Sequence, residues 1–262
     1  FVRAMISFSL GDTNDNRGEY FHKIVGPIIT RFGSIIQRGD FLNIAKTPDV
    51  VSEVTRQLER IRGVVQGATG NNHGYVVKCL DNFYSAFSGF ISMYRGFHDV
   101  VWRVLCIYMD FAHYVIDFIE PEEAVPYLAS ANKVLQSYSE CYIDYYKQKL
   151  DSNEAREDRY QELKSLVKWL NNLSICTRTQ PSAIDTIFFG LQTTIGLLNP
   201  DLLTYKKISN NFFQVIHAMF IYHPDRIATL PTSLFNALIE ALRFGLKHTE
   251  DLVVRKALES IK

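Results

Sequence analysis

The chain has 262 residues, 47% of them hydrophobic and 13% aromatic, with 28 basic residues balanced by 28 acidic ones. That composition excludes a disordered segment, and the even charge argues against a nucleic-acid scavenger or a polybasic membrane binder. A chain of this length can hide roughly 70–75% of its unfolded surface in a folded core.

Helical periodicity dominates from the N-terminal third onward, and no segment reads convincingly as a strand. A first helix is expected near 19–37 and a second near 49–66, where Val51, Val54, Leu58, Ile61 and Val65 form one stripe and Glu53, Arg56, Gln57 and Arg60 the other side. Gly70-Asn71-Asn72 reads as a break. Beyond it, Val76, Leu80, Phe83, Phe87, Phe90 and Tyr94 predict a helix over 73–95. Val101, Val104, Tyr108, Phe111, Val115 and Ile119 predict another over 98–119. Further helices are expected at 122–146, 154–175, 182–198, 205–222, 232–247 and 250–262, with one-turn fragments at Leu202 and Ile227. Apolar residues spaced three and four apart lie on one helix face, which is stable only against a partner helix.

The punctuation agrees with these bounds. Pro48-Asp49, Pro121-Glu122, Pro200-Asp201 and Pro224-Asp225 each stand at a segment start. Proline at the first helical position gives up a donor that has no partner there, and the acid complements the helix dipole. Asp151 and Glu154 have the spacing of a capping box. The acidic run from Asp151 to Glu162 reads as a solvated loop entering a helix.

Short turns make antiparallel pairs at about 19–66, 73–119, 122–175, 182–222 and 232–262, in one segment spanning 1–262. Units of about 50–60 residues are longer than a typical HEAT or armadillo unit of roughly 40–47, yet the logic is shared, because one pair buries too little alone and must stack on its neighbours. The pattern leaves a compact helical bundle as the alternative to a solenoid. The chain starts at Phe1 and its last helical pattern runs to Lys262, which reads as a piece of a longer protein.

Cys79, Cys106, Cys141 and Cys176 lie too far apart for a zinc knuckle or a redox dithiol and are expected as reduced thiols of an intracellular protein. There is no secretory signal and no membrane span; the uncharged stretch from Ile208 to Pro224 contains Ser209, Asn210, Asn211, Gln214 and His217. No phosphate loop, zinc-protease motif, di-iron motif or nucleophile elbow is present. The glycines at 63, 67, 70 and 74 follow a helix rather than a strand and mark a helix terminus. The strongest chemical cluster is Asp110, His113 and Asp117 with Arg103 and Cys106 along one stripe, read as a solvated or groove-lining polar face rather than a proton relay or metal site. Tyr138, Tyr142, Tyr145 and Tyr146 form a helical stripe, read as packing against the neighbouring helix with an aromatic docking surface as the alternative. Trp169 lies off the apolar stripe, so it is either covered by another helix or available to a partner.

The last hundred residues carry a more specific signal. Asp158-Arg159-Tyr160-Gln161-Glu162-Leu163 is followed by Ala183-Ile184-Asp185-Thr186-Ile187-Phe188-Phe189-Gly190-Leu191, then Asp201-Leu202-Leu203-Thr204-Tyr205 and Asn211-Phe212-Phe213. His223-Pro224-Asp225-Arg226-Ile227, Leu230-Pro231 and Leu234-Phe235 come next. In order and spacing these resemble the exportin-4 branch of the importin-β (karyopherin) superfamily, most strongly after Asp158. Gln57 to Gly63 fits more loosely, and residues 1–49 match in general character only.

The resemblance implies an all-α HEAT-repeat α-solenoid, a right-handed superhelical stack of antiparallel helix pairs. It further implies a segment of a nuclear export receptor that binds Ran-GTP with folded protein cargo, crosses the nuclear pore, and shuttles between nucleus and cytoplasm. Partners are then Ran-GTP, cargo and nuclear pore proteins, without nucleic acid or membrane. No cofactor is expected beyond the GTP held by Ran, and no enzymatic activity. In that family the second helix of each pair lines the inner surface, which would place Arg103, Asp110, His113, Asp117, Lys168 and Trp169 as partner-contacting residues. A generic HEAT scaffold without Ran dependence shares every periodic feature.

Overall fold

The computed structural model describes residues 2–8, 17–69, 72–148 and 152–262, and among them there is no strand. The helices are α1 (Val2–Phe8), α2 (Arg17–Ile36), α3 (Phe41–Ile44), α4 (Pro48–Gln66), α5 (His73–Asp81), α6 (Tyr84–Met93), α7 (His98–Tyr114) and α8 (Pro121–Gln148). They continue as α9 (Asn153–Ile175), α10 (Ala183–Leu197), α11 (Pro200–Leu203), α12 (Lys206–Tyr222), α13 (Pro224–Ala228), α14 (Thr232–Gly245) and α15 (Asp251–Ile261). The fold is all-α and of the HEAT-repeat kind. Two compact units divide it, Phe1–Tyr142 and Ile143–Lys262, the boundary falling inside α8.

In the N-terminal unit the first two hairpins are α2 with α4, joined through α3, and α5–α6 with α7. The closest packing is between their second helices, α4 against α7, while α2 lies on both α4 and α5. Because α4 has neighbours on several sides, its buried set widens beyond one stripe to Val54, Gln57, Leu58, Ile61, Val64 and Val65. Rings fill the space around α6: Phe32 meets Phe83 at 5.1 Å and Phe90 at 5.6 Å, and Phe111 stacks on Tyr127 of α8 at 4.3 Å. A buried ring of this size stabilises by about 1.5–3 kcal/mol through removal of apolar area from water. Tyr127 and Ser130 also tie α8 to α7, the Tyr127 hydroxyl donating to the Tyr108 carbonyl at 2.9 Å and the Ser130 and Tyr108 hydroxyls pairing at 2.5 Å.

In the C-terminal unit the second helices again form a row, with α12 packed between α9 and α15, α10 on α9, and α14 on α15 and α12. On α8, Tyr138 and Tyr142 of the N-terminal unit are buried and stack at 4.6 Å, and in the C-terminal unit Tyr146 is buried and Tyr145 half-buried, so packing accounts for three of the four rings of that stripe. The one-turn helices α11 and α13 bury Leu202 and Ile227, as their spacing predicts.

Several boundaries differ from the sequence expectation. The single helix expected over 73–95 is two, because the Asn82 side chain donates to the Lys78 and Cys79 carbonyls at 3.1 Å and ends α5. The helix expected over 98–119 stops at Tyr114 and continues as a 3₁₀ turn, Ile116–Phe118. The run entering α9 is helix from Asn153 rather than a loop, and Ser152 caps it by accepting from the Ala155 N–H at 3.1 Å. Asp151 of the expected capping box lies outside the described residues, as do Gly70 and Asn71 of the expected break; Asn72 immediately precedes α5 and bonds to the Thr69 N–H and the Gly67 carbonyl.

Three glycine contacts set how closely helices approach. A β-carbon at Gly67 would lie 2.6 Å from the Ile6 Cβ, so α1 rests directly on the α4 backbone. Gly190 of α10 receives the Leu170 side chain of α9, and Gly245 of α14 receives the Phe213 ring of α12. Gly89, by contrast, has nothing within 4 Å of its would-be β-carbon.

Gly245→Val is therefore expected to destabilise the C-terminal unit by about 1–3 kcal/mol through overpacking. Gly89→Ala should stabilise the N-terminal unit by roughly 0.5–1 kcal/mol through helix propensity. Urea unfolding midpoints measure both, and equal shifts of the same sign would contradict the packing described.

Candidate functional site

The polar stripe of α7 does not face solvent throughout. Its central residues are inserted into the contact with α4, forming a seam of charges between two second helices. Arg62 Nε and Gln66 Nε2 of α4 both donate to Asp110 Oδ2 at 2.7 Å. One turn earlier, Glu59 Oε2 stands 3.4 Å from Arg103 Nε, and its other oxygen is 3.9 Å from Arg62 Nη1. Arg103 also holds its own helix, donating from Nη1 to Asp99 Oδ1 at 2.7 Å and to the Asp99 carbonyl at 2.9 Å. Helical spacing generates this ladder: Glu59, Arg62 and Gln66 are three and four apart, and Arg103 and Asp110 are two turns apart.

Asp110 is only 6% exposed. Burial works against the charge of Arg62, yet the hydrogen bond to Asp110 and the nearby negative charges outweigh it and raise the guanidinium pKa above its ordinary value. The pair is thus a charged, bonded unit that disfavours separation, since either partner alone would be a buried uncompensated ion. Trp102 lies over the same seam, its ring 5.8 Å from the Arg62 guanidinium and 5.4 Å from that of Arg103, with His98 stacked at 6.0 Å.

The residues expected to touch partners separate into three kinds. Arg103 is half-buried and engaged with Glu59 and Asp99, and Asp110 is buried against α4, so at these two positions the face expected as solvated or groove-lining packs on α4 instead of facing solvent. The three-to-four periodicity identified their face correctly but could not show that α4 would bring matching charges to it. His113 and Asp117 are exposed at the C-terminal end of α7 and in the following turn, where His113 meets the Tyr114 ring edge-on at 4.6 Å. Lys168 and Trp169 belong to the C-terminal unit. Lys168 is half-buried, whereas Trp169 is 0% exposed, because α9 has neighbours around most of its circumference. Glu59, Arg62 and Trp102 were missed by sequence reasoning; Glu59 and Arg62 lie on the polar side of an ordinary amphipathic helix, and only their partners on α7 distinguish them.

The acidic run before Leu163 likewise contributes buried charge. Glu162 accepts from the Tyr146 hydroxyl at 2.6 Å, and Arg159 donates to the Leu197 carbonyl while lying 5.5 Å from the Tyr146 ring centre. His217 of α12 stands 3.5 Å from Glu259 of α15. Burial, then the charge of Lys256, lowers the His217 pKa, with Glu259 opposing; burial and Arg226 lower that of His223.

Among the described residues no group of histidine, cysteine and carboxylate side chains is arranged to hold a metal, and no helix is long and apolar enough to cross a membrane. A cavity of about 150 Å³ is lined largely by apolar side chains between α2 and α5, among them Phe21, Val25 and Tyr75. Burial pushes the Cys79 thiol beside it up to about 12, which makes it a poor nucleophile at neutral pH.

A family model described as Exportin-4 matches residues 2–262. Exportin-4 of Dictyostelium discoideum is 23% identical over 273 aligned residues, an alignment that covers all of this chain and 23% of that protein. The chain thus spans about a quarter of the length of that curated relative.

Two outcomes follow from the charges. Asp110→Ala should cost near the lower end of roughly 3–5 kcal/mol, since Arg62 retains some access to water, and Asp110→Asn should cost less. The Arg62→Met/Asp110→Leu double variant should recover most of the loss; a double-mutant cycle from denaturant unfolding measures the coupling. The second concerns pH. With folded pKa values below the ordinary 6.5, His217 and His223 favour folding fully above that value. As pH falls through it the unfolded chain takes up protons first, and stability declines. Unfolding midpoints of the C-terminal unit should drop between about pH 7.5 and 5.5, and the drop should shrink in a His217→Asn/His223→Asn variant.

Proposed function

The chain belongs to the exportin-4 family, and from that premise we propose that it is a solenoid segment of a nuclear export receptor that binds Ran-GTP and protein cargo together and shuttles between nucleus and cytoplasm through nuclear pore proteins. The observation that carries this reading is the family match across residues 2–262. The segment acts as a binding surface and a spring rather than as an enzyme, and needs no cofactor beyond the GTP held by Ran.

The packing supports such a role physically. Stacked second helices slide and tilt against one another by small amounts at each contact. Two partners that favour the same curvature then assist each other's binding, typically by about 1–3 kcal/mol of coupling. In this reading the exposed His113 and Asp117 and the half-buried Lys168 offer polar side chains to Ran or cargo. Asp110 and Trp169 act indirectly, by holding the helices that carry those side chains.

Retention of the full-length parent on immobilised Ran tests the reading. Capture should be strong with a GTP-locked Ran, increase with cargo, and be weak with GDP-bound Ran. Equal capture on both nucleotide forms, or none, overturns the export reading and leaves a scaffold. Within the parent, His113→Glu with Asp117→Lys should weaken the ternary complex severalfold; unchanged affinity at low salt removes those two positions from the proposal.

A further inference from the structure

The α14–α15 hairpin keeps one apolar flank open to solvent. On α15, Val254, Leu258 and Ile261 are four and three residues apart and share a face. Leu258 is 49% and Ile261 55% exposed, and Val254 is half-buried. This face is opposite the one that carries Lys256 and Glu259, where Glu259 lies 3.5 Å from His217 of α12. On α14, Phe235, Ile239 and Leu246 form a second row beside the buried Leu234, Leu238 and Leu242, with Phe235 36% and Leu246 39% exposed. Each row is turned from the buried centre of its helix in the same rotational sense. In an antiparallel pair, equal senses put both rows on the same side of the hairpin, the side away from α12.

A helix covered on both flanks looks different. Between α9 and α15, α12 buries Ile208, Phe212, Phe213, Val215, Ile216 and Met219, whereas α15, packed on α12 and α14, buries only Val253, Ala257 and Ser260. Two adjacent rows of large apolar side chains in water mark a contact surface that wants a cover.

Two observations say what that cover is. The first is shape and continuity. Apolar rows on two antiparallel helices are complementary to two more helices, and the flank continues the row α9, α12, α15, in which each second helix packs on the one before. The second is length. This chain spans 23% of the curated relative that aligns along all of it, so chains of this family have further sequence from which such a pair can come. We infer that the flank seats a further helical hairpin of the same polypeptide, drawn from family sequence that this chain does not span, with one helix on the α14 row and the other on the α15 row. The inference rests on family membership and involves neither Ran nor cargo, so its failure leaves the export reading untouched.

Side-chain accessibility in the full-length parent tests it. Leu246→Cys and Leu258→Cys, one in each row, should react with a maleimide at least about tenfold more slowly than Glu240→Cys on the exposed side of α14, each rate being normalised to that in denaturant. These rates should not depend on protein concentration. In the unsubstituted parent, hydroxyl-radical oxidation of Phe235, Leu246, Leu258 and Ile261 should be as low as that of the buried Leu238 and Leu242. Fast labelling or strong oxidation at both rows overturns the inference, and so does protection of one row without the other. Protection that fades on dilution assigns the flank to a second copy, and slow reaction of Glu240→Cys as well assigns it to a contact over the whole hairpin; either result overturns the inference too.

Discussion

The contact between second helices of successive hairpins is the constraint on which the rest of the structure depends. A hairpin such as α2–α4 leaves one flank of α4 uncovered, and α7 covers it; α12 is covered in the same way from both sides by α9 and α15. A helix with neighbours on several flanks has little room for an ordinary polar face. Its polar residues must find partners across the contact, and Arg62–Asp110, Asn171–Asn211 and His217–Glu259 are three such solutions at three contacts.

These polar cross-links do different work from the apolar surface around them. The buried valines, leucines and isoleucines of the two helices, among them Val54, Leu58 and Ile61 on α4 and Val100, Val104 and Ile107 on α7, supply most of the free energy but discriminate weakly between registers. Asp110 discriminates strongly, because both of its donors come from one turn of α4 and a shift by a residue would lose both bonds at once. The glycines make the complementary contribution. Where Gly190 meets Leu170 and Gly245 meets Phe213, a large side chain fits into a place that any β-carbon would occupy, so the depth of packing is set as firmly as the register.

This division explains what could be read from the sequence. Helix positions were legible to within a few residues, including the one-turn helices at Leu202 and Ile227, because apolar spacing and proline-acid starts are local signals. The helix α1 and the break at Asn82 were not, since the first depends on a glycine surface on α4 and the second on a side chain competing with the backbone. Gly63 and Gly67 were read as a helix terminus, and α4 does end at Gln66 with Gly67 as its C-cap; their spacing of four also puts them on one face, which α1 occupies. The candidate site was half legible. Periodicity put Arg103, Asp110, His113 and Asp117 on one stripe of one helix, but α7 ends at Tyr114 with Asp117 in the turn beyond, and a single helix cannot reveal which of its polar residues a neighbour will claim. Trp169 illustrates the same limit: off the stripe in sequence, it is fully enclosed once α9 has its full set of neighbours.

The same reasoning bears on how a segment of the exportin-4 family meets its partners. Residues already committed to a seam, such as Asp110 and Glu162, are poor direct contacts, because leaving their bonds would expose a buried counter-charge. They are well suited to transmit a partner's effect, since a ligand that shifts α7 against α4 must strain the Arg62–Asp110–Gln66 bonds or relax them. Under the reading proposed above, direct contact with a partner would fall to exposed residues at the margins of the seams, such as His113 and Asp117, because the bonded core of each contact resists displacement.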